Sequence, residues 1–305
     1  MIDIALARNE SIYFPITALR CRRQGFQLRR DGETLVLRNG LRQIRFARKH
    51  LLYSLDLVQH FDTYVSQTLP NDVSGVAEFD YSGPRLHTLA NGLQFELASL
   101  PEESPALDSY FRWAKPQEGE TVFDIGAYCG VFTYILSRLV GTTGRVVAFE
   151  PDPVNVEILQ RNVRRHGLQN VTVEAAALCD NDGERIFNSQ GCLGSGFVAC
   201  ADRSAPGTSV TVRTMTLDSA CQQYGLPSFV KIDAEGAEIE ILAGGGTLLS
   251  RHQTAFVLDT NHFRDGVLTA ARVEQIFRSN GYEAESSAGP VMTTWARSHS
   301  QSNSF

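Results

Sequence analysis

The spacing of apolar and polar residues predicts a small β meander followed by a helix in the first part of the chain. Residues 25–46 alternate in part between polar and apolar, and the turn-forming pairs Asp31-Gly32 and Asn39-Gly40 interrupt the alternation. Such pairs between alternating runs are typical of antiparallel strands joined by two-residue turns. Over 49–65 the apolar residues instead recur at helical spacing, which predicts an amphipathic helix.

The pattern of residues 71–105 predicts loop and a further hairpin. This stretch contains Pro84, the turn-forming pair Asn91-Gly92 and the alternating run from Leu93 to Leu97, features that turn or end a strand. Together with the meander and the helix, it defines a smaller N-terminal α+β region over residues 1–105.

A different pattern begins at Glu118, where short apolar strands alternate with longer helical segments. The predicted strands cover residues 121–125, 145–150, 171–177, 229–233 and 255–259, and the predicted helices include 130–140, 237–243 and 269–279. The clearest helix has Asp152 as its expected N-cap and Pro153 at its first position. The alternation is the pattern of βαβ units, so it predicts a doubly wound α/β domain with a mostly parallel sheet.

Other parts of this domain are less regular. Residues 178–209 contain several glycines and serines and are expected to include a mobile loop. Segments 282–284 and 291–296 are expected to close the sheet, which places the domain at residues 106–297. The polar residues 298–305 are expected to form a frayed tail.

Composition narrows the choice of partner and location. The 305-residue chain carries a formal net charge of −6, so its overall field repels a polyanion and nucleic acid is not expected as a substrate. No apolar run is long enough for a membrane span. The six cysteines contain no C-x-x-C pair and no export signal is apparent, so reduced thiols and a cytoplasmic location are expected.

The strongest chemical motif lies between the first strand of the α/β domain and the helix that follows it. There Asp124 precedes a turn in which Gly126 and Gly130 lack side chains that would block a ligand. Glu150 ends the next strand, where a carboxylate can accept hydrogen bonds from two ribose hydroxyls. This combination predicts a site for a nucleoside-containing cofactor.

A nicotinamide cofactor also uses a glycine turn and a downstream acid, but its turn has the pattern G-x-G-x-x-G. Here Tyr128 occupies the second glycine position, which weakens a pyrophosphate site. The early Asp124 suits a ligand without phosphates whose amino acid end carries an ammonium group. S-adenosylmethionine has such an end, and a nicotinamide-dependent oxidoreductase is the enzymatic alternative.

These motifs resemble those of the FkbM family of S-adenosylmethionine-dependent methyltransferases. The resembling segments are 123–130, 148–153 and 230–238, and segments 82–87 and 216–218 are also similar. The resemblance covers residues 106–260 and leaves residues 1–80 unaccounted for. It implies a class I methyltransferase fold, which is a Rossmann-like, doubly wound α/β domain.

The resemblance also implies where S-adenosylmethionine binds. Glu150, with Pro151 beside it, is expected to hold the ribose, and Ala177 and Asp180 are expected near the adenine. The remaining cofactor residues, in the first turn and after the fourth strand, are Asp124, Gly126, Ala127, Tyr128, Gly130 and Asp233.

The implied reaction is O-methylation of a hydroxyl on a small molecule, sugar or glycan. Such an enzyme needs a group that helps remove the hydroxyl proton. The candidates follow the fourth and fifth strands and are Asp233, Glu235 and His262. Two simpler interpretations remain open, since Lys231 could neutralise the acids and His262 could be an ordinary loop residue facing solvent.

A divalent metal at the same sheet edge is a further alternative. Asp233, Asp259 and Asn261 offer hard oxygen ligands suited to magnesium, and the metal would lower the pKa of the acceptor hydroxyl. Without a metal, Asp233 or His262 would take the proton directly. The alternative to an enzyme is a noncatalytic methyltransferase fold that binds partners through the meander, and the oligomeric state is left open.

Overall fold

The structure is a computed structural model that describes residues 10–101, 109–191, 195–197, 207–264, 266–288 and 291–298. The chain divides into two units of unequal size. Of the described residues, 10–101 and Gly207 belong to the N-terminal unit, and all others belong to the C-terminal unit. Each unit is therefore described by itself.

The N-terminal unit contains a five-stranded sheet with strand order β1-β2-β3-β5-β4. Its strands are β1 (Gln27–Asp31), β2 (Thr34–Asn39), β3 (Arg42–Ala47), β4 (Asn71–Val73) and β5 (Val76–Tyr81). The predicted meander is confirmed, because β1, β2 and β3 pair antiparallel and two-residue loops join them. The predicted hairpin is also present, as β6 (Arg85–Thr88) and β7 (Gln94–Leu97).

The helices of this unit differ from the prediction. They are α1 (Glu10–Arg23), a 3-10 helix (Arg48–Tyr53), α2 (Ser54–Gln59) and α3 (Phe61–Gln67). The single helix predicted over 49–65 is wrong, since the backbone leaves helical geometry at His60, with φ of −112° and ψ of 24°. Apolar side chains on both sides of His60, such as Leu57 and Phe61, are still buried. The apolar periodicity therefore identified correctly that this segment has a buried face, but it did not show that the helix is interrupted.

The C-terminal unit is a doubly wound α/β domain around a seven-stranded sheet. Its strands in chain order are β8 (Thr121–Ile125), β9 (Arg145–Phe149), β10 (Val171–Glu174), β11 (Ala177–Cys179), β12 (Gly183–Ser189), β13 (Gly196–Phe197), β14 (Thr208–Thr216), β15 (Phe229–Ile232), β16 (Ala255–Asp259), β17 (Phe263–Arg264), β18 (Val267–Leu268), β19 (Tyr282–Ala288) and β20 (Met292–Ser298). The seven-stranded sheet has the order β10-β9-β8-β15-β16-β20-β19, and only the pairings of β20 are antiparallel. This is the strand order of class I methyltransferases, so the predicted fold is confirmed.

Helices flank this sheet, four of them at the predicted positions. In chain order the helices are α4 (Val131–Val140), α5 (Pro153–Arg165), α6 (Leu217–Tyr224), α7 (Glu238–Ala243), α8 (Gly246–Ser250) and α9 (Thr269–Ser279). Helices α6 and α8 were not predicted. The predicted start of α5 is confirmed, since Pro153 is its first residue and the Asp152 carboxylate accepts a hydrogen bond from the Val154 N–H at 2.9 Å. None of the helices in the described parts of the chain is long and apolar enough to cross a membrane.

The central strands are buried on both faces, which explains their unbroken apolar runs. In β8, Phe123 and Ile125 pack into the hydrophobic cluster on one face, whereas Val122 packs into the cluster on the other. Strands covered on both faces are typical of parallel sheets flanked by helices. Such a sheet holds the loops at its carboxyl edge on a rigid base.

The irregular section predicted after the third strand is mostly a second sheet. Strand β10 ends at Glu174, so the prediction that it continues to Ala177 is wrong. The following residues form a four-stranded sheet in the order β11-β14-β12-β13. These strands lack a recognisable apolar pattern in the sequence, because most residues of β12 and β14 are at least partly exposed. Residues 192–194 and 198–206, where a loop was predicted, and the tail beyond Ser298 lie outside the described residues.

Candidate active site

The turn after β8 requires glycine for two separate reasons. Gly126 has a φ of 75°, and a Cβ at this position would lie 1.7 Å from the carbonyl oxygen of Asp233. Gly130 has a φ of 86°, and a Cβ there would lie 2.4 Å from Cδ1 of Leu159. The turn therefore packs against the loop after β15 on one side and against helix α5 on the other.

The backbone N–H groups of this turn are hydrogen-bonded within the protein. Those of Gly126 and Ala127 donate to the Phe149 carbonyl at 3.0 and 3.1 Å. The Tyr128 N–H donates to Oε2 of Glu150 at 2.8 Å. A pyrophosphate site needs such N–H groups to point at the ligand. Because these N–H groups have partners within the protein, the turn is suited to close contact with a ligand and not to binding an anion.

Asp124 is fully buried beneath the turn and is held by two side chains. Its Oδ2 accepts a hydrogen bond from the Thr133 hydroxyl at 2.5 Å, and its Oδ1 lies 3.4 Å from Nζ of Lys231. Lys231 also donates to the Gly126 carbonyl at 2.7 Å and lies 3.9 Å from Oδ2 of Asp233. Burial raises the pKa of Asp124, and the positive charge of Lys231 opposes that shift. Lys231 thus ties the turn to both acids.

Glu150 lies at the end of β9, directly beside the turn. Besides the Tyr128 N–H, its carboxylate accepts hydrogen bonds from the Asp152 N–H at 2.9 Å and from the Asn155 side-chain amide at 3.4 Å. Burial raises the pKa of Glu150 to about 8, although these backbone N–H groups favour the ionised form. A carboxylate has about four acceptor positions, so this side chain keeps acceptor capacity for a further donor.

The residues predicted to lie near the adenine come shortly after β10 in the sequence, and β10 ends beside Glu150. The Glu150 N–H donates to the Glu174 carbonyl at 3.1 Å, which places the end of β10 beside Glu150. Ala177 is buried at the start of β11, and Asp180 follows that strand and pairs with Arg185. Pro151, at the start of the loop before α5, is partly exposed.

The three residues proposed for proton transfer come together at the carboxyl ends of β15 and β16. Asp233, Glu235 and His262 each offer a donor atom, and these atoms lie within 4.8 Å of one another. Asp259 is buried and close enough for the charges of this group to act on it, whereas the third predicted magnesium ligand, Asn261, is exposed. We call Asp233, Glu235, Glu238, Asp259 and His262 the acid–histidine cluster.

Glu238 is a member of the cluster that was not predicted from the sequence to have a role in the site. It is fully buried, its Oε1 accepts the Gly236 N–H at 3.0 Å, and the same oxygen lies 3.0 Å from Nδ1 of His262. Nε2 of His262 then faces Glu235, with 3.5 Å to its Oε2. The only sequence clue is its position at the end of the motif 230–238.

The pKa values of three residues in the cluster are raised, for different reasons. Burial raises the pKa of Asp259 well above its usual value, and the neighbouring Asp233 charge raises it further. Burial likewise raises the pKa of Glu235. For His262, burial alone lowers the pKa, but the charges of Glu238 and Glu235 outweigh it and raise the pKa well above the usual value.

The fold and the glycine turn place this protein among the class I methyltransferases. The model of the methyltransferase FkbM domain matches residues 124–284. That range is more than half of the chain, and the chain therefore belongs to the FkbM methyltransferase family.

Individual relatives match shorter parts. A protein-L-isoaspartate O-methyltransferase of Caenorhabditis elegans is 26% identical over 88 residues, which are 29% of this chain and 39% of the relative. Protein-L-isoaspartate O-methyltransferase 1 of Archaeoglobus fulgidus is 40% identical over 57 residues, or 19% of this chain and 26% of the relative. The crystal structure of a methyltransferase FkbM from Methylobacillus flagellatus KT has 18% identity and a TM-score of 0.46, with 62% of this chain and 47% of that chain covered. The chain thus spans less than half the length of each of these proteins.

Proposed function

We propose that the C-terminal unit binds S-adenosylmethionine and transfers its methyl group to a hydroxyl of a small molecule, sugar or glycan. One observation carries the proposal: Glu150 and the Gly126 turn lie at the carboxyl ends of neighbouring strands, and the acid–histidine cluster lies at the ends of the next two. Ligands of open α/β sheets bind at this edge. Family membership supports the same conclusion.

In this proposal Glu150 accepts a hydrogen bond from the ribose, using the acceptor position left beside its two backbone donors and the Asn155 amide. Pro151, Ala177 and Asp180 form the adenine side. The methionine end lies along the turn, whose shape Lys231 fixes by joining the turn carbonyl to Asp124 below it. The remaining cofactor residues of the proposal are Ala127, Tyr128, Gly130 and Asp233.

S-adenosylmethionine supplies an electrophilic methyl group, and its C–S bond breaks as the new C–O bond forms while sulfur keeps the electron pair. The protein must therefore position the acceptor hydroxyl and receive its proton. We assign the proton to the Asp233 carboxylate, because this side chain is 24% exposed and its backbone carbonyl packs against the cofactor turn. Glu235 and His262 then orient the acceptor.

The test measures S-adenosylmethionine binding by calorimetry in the full-length chain and in two glutamate variants. Glu150→Gln should weaken binding roughly 10- to 100-fold, which corresponds to about 1.5–3 kcal/mol for hydrogen bonds to a charged group. Glu157→Gln, on the exposed face of α5, should bind as the unmodified chain does.

A screen of sugars and hydroxylated small molecules, read by mass spectrometry, then tests transfer. If the protein does not bind S-adenosylmethionine but its melting temperature rises with a nicotinamide cofactor, the oxidoreductase alternative would be favoured instead. A chain that binds S-adenosylmethionine and methylates none of the hydroxyl acceptors would contradict the proposed O-methylation.

A further inference from the structure

We propose that Asp233, Glu235 and His262 bind a divalent transition-metal ion. Their donor atoms lie within 4.8 Å of one another. Two donors on opposite sides of one ion are up to about 4.4 Å apart when each bond is about 2.2 Å long, so small side-chain rotations complete the site. The three residues lie in the loops after β15 and β16, which adjacent strands hold side by side.

The orientation of His262 supports metal binding. Glu238 lies 3.0 Å from Nδ1 of His262 and is itself fixed by the Gly236 N–H. This contact leaves Nε2 facing Glu235. Nδ1 of His262 makes no hydrogen bond within the described residues despite its short distance to Glu238. A small rotation of the ring would complete the carboxylate–imidazole contact that usually supports a metal-bound histidine.

The high density of carboxylates in the cluster also favours binding of a cation. Four carboxylates surround one imidazole. Of the neighbouring cations, Arg264 pairs with Glu240, and Lys231 joins Asp124 to the turn and lies 3.9 Å from Oδ2 of Asp233 at the edge of the cluster. Asp259 is 7% exposed and Glu238 is fully buried, yet each has one carboxylate oxygen with no hydrogen-bond partner in the described parts of the chain. Buried carboxylates without partners are costly, and a divalent cation would offset their charge.

The donor set selects among metals. Mg²⁺ prefers oxygen ligands and keeps much of its water, whereas imidazole together with carboxylates suits Mn²⁺, Fe²⁺ or Zn²⁺. The sequence-based magnesium site used Asn261, and the structure places His262 beside Asp233 in its stead. The site lies within the proposed active site, and with a metal bound Asp233 would be a ligand while the metal, in its place, would lower the pKa of the acceptor hydroxyl. The affinity for a metal does not itself depend on methyl transfer.

The test titrates the full-length chain, freed of metal by a chelator, with Mn²⁺ or Zn²⁺ and without cofactor or acceptor. Electron paramagnetic resonance of free Mn²⁺ and competition by Zn²⁺ give affinity and stoichiometry. We expect saturation at about one ion per chain, and Glu235→Gln and His262→Gln each to weaken binding at least about 10-fold. Glu238→Gln should weaken it by about 10- to 100-fold through the orientation of His262.

Glu157→Gln is the matched control, because it removes an exposed glutamate of α5 that pairs only loosely with Arg161 at 3.7 Å. Circular dichroism checks that each variant is folded. Failure of the unmodified chain to bind either ion saturably at millimolar concentration overturns the proposal without reference to any variant. Equal affinity in folded Glu235→Gln, His262→Gln and unmodified chains overturns it as well. Neither result bears on whether S-adenosylmethionine binds, so the two proposals fail separately.

Discussion

Replacing Gly126 by alanine tests how tightly the cofactor turn packs against the loop after β15. The new Cβ would lie 1.7 Å from the Asp233 carbonyl oxygen and 2.8 Å from its carbon. This carbonyl is part of the backbone, and the Asp233 N–H is already bonded to the Ile125 carbonyl at 2.9 Å. The strands β8 and β15 therefore have to move apart locally, because no side chain can rotate out of the way.

The cost has two parts. An alanine at a φ of 75° pays about 1–2 kcal/mol for the left-handed conformation, and overpacking adds about 1–3 kcal/mol. Gly167→Ala is the matched control, because Gly167 has a φ of 61° and nothing lies within 4 Å of its Cβ position. Gly126→Ala should therefore lose roughly 2–5 kcal/mol, and Gly167→Ala only about 1–2 kcal/mol.

Urea unfolding followed by tryptophan fluorescence measures this difference. Both tryptophans of the chain, Trp113 and Trp295, lie in the C-terminal unit, so their emission reports on the unit that contains the turn. Equal losses in the two variants would refute the close approach of the turn to Asp233. A destabilised Gly126→Ala that keeps full affinity for S-adenosylmethionine would refute the role of the turn in the cofactor site.

Three further predictions concern buried charges. Affinity for S-adenosylmethionine should increase as pH rises through about 8, the pKa of Glu150 in the free protein, because ribose hydroxyls favour its ionised form; calorimetry at several pH values should show a flat profile for Glu150→Gln. Lys231→Met should destabilise the chain by roughly 3–5 kcal/mol, since it leaves the Asp124 charge buried without its partner, and adding Asp124→Asn should restore part of that loss in a double-mutant cycle. Asp259→Asn should raise the melting temperature of the metal-free protein by about 2–4 °C, as expected for about 1 kcal/mol gained by removing a carboxyl group that burial and the Asp233 charge keep from ionising as it does in the unfolded chain.

The parts of the fold that the sequence predicted are those in which burial dictates residue type. The central strands appear as apolar runs because helices cover both faces. Asp152 with Pro153 marks the start of α5, because the N-cap position favours a side-chain acceptor and the first helical position tolerates proline. The second sheet of the C-terminal unit was missed because β12 and β14 bury few side chains. The break at His60 was missed because apolar spacing continues across it.

The site shows the same division. Asp233, Glu235 and His262 could be grouped from the sequence, because adjacent parallel strands end at one edge and their following loops meet there. Glu238 could not be placed, since its contact with His262 depends on the reversal of the chain at Glu235 and Gly236, whose φ angles are 51° and 97°. No apolar pattern records such a reversal. A glutamate at the start of a helix is ordinary in sequence, and only the fold turns it toward the histidine.

Asp233 connects the two halves of the proposed active site. Its carbonyl packs against Gly126 in the cofactor turn, while its side chain belongs to the acid–histidine cluster and lies 3.9 Å from Lys231. A shift of this backbone therefore changes the cofactor turn and the proton-accepting carboxylate at once. If Asp233 serves both halves, Gly126→Ala should lower kcat as well as cofactor affinity, because the carboxylate moves with its carbonyl. A variant that lost only affinity, with kcat at saturating S-adenosylmethionine unchanged, would show that the position of the Asp233 side chain is independent of the turn.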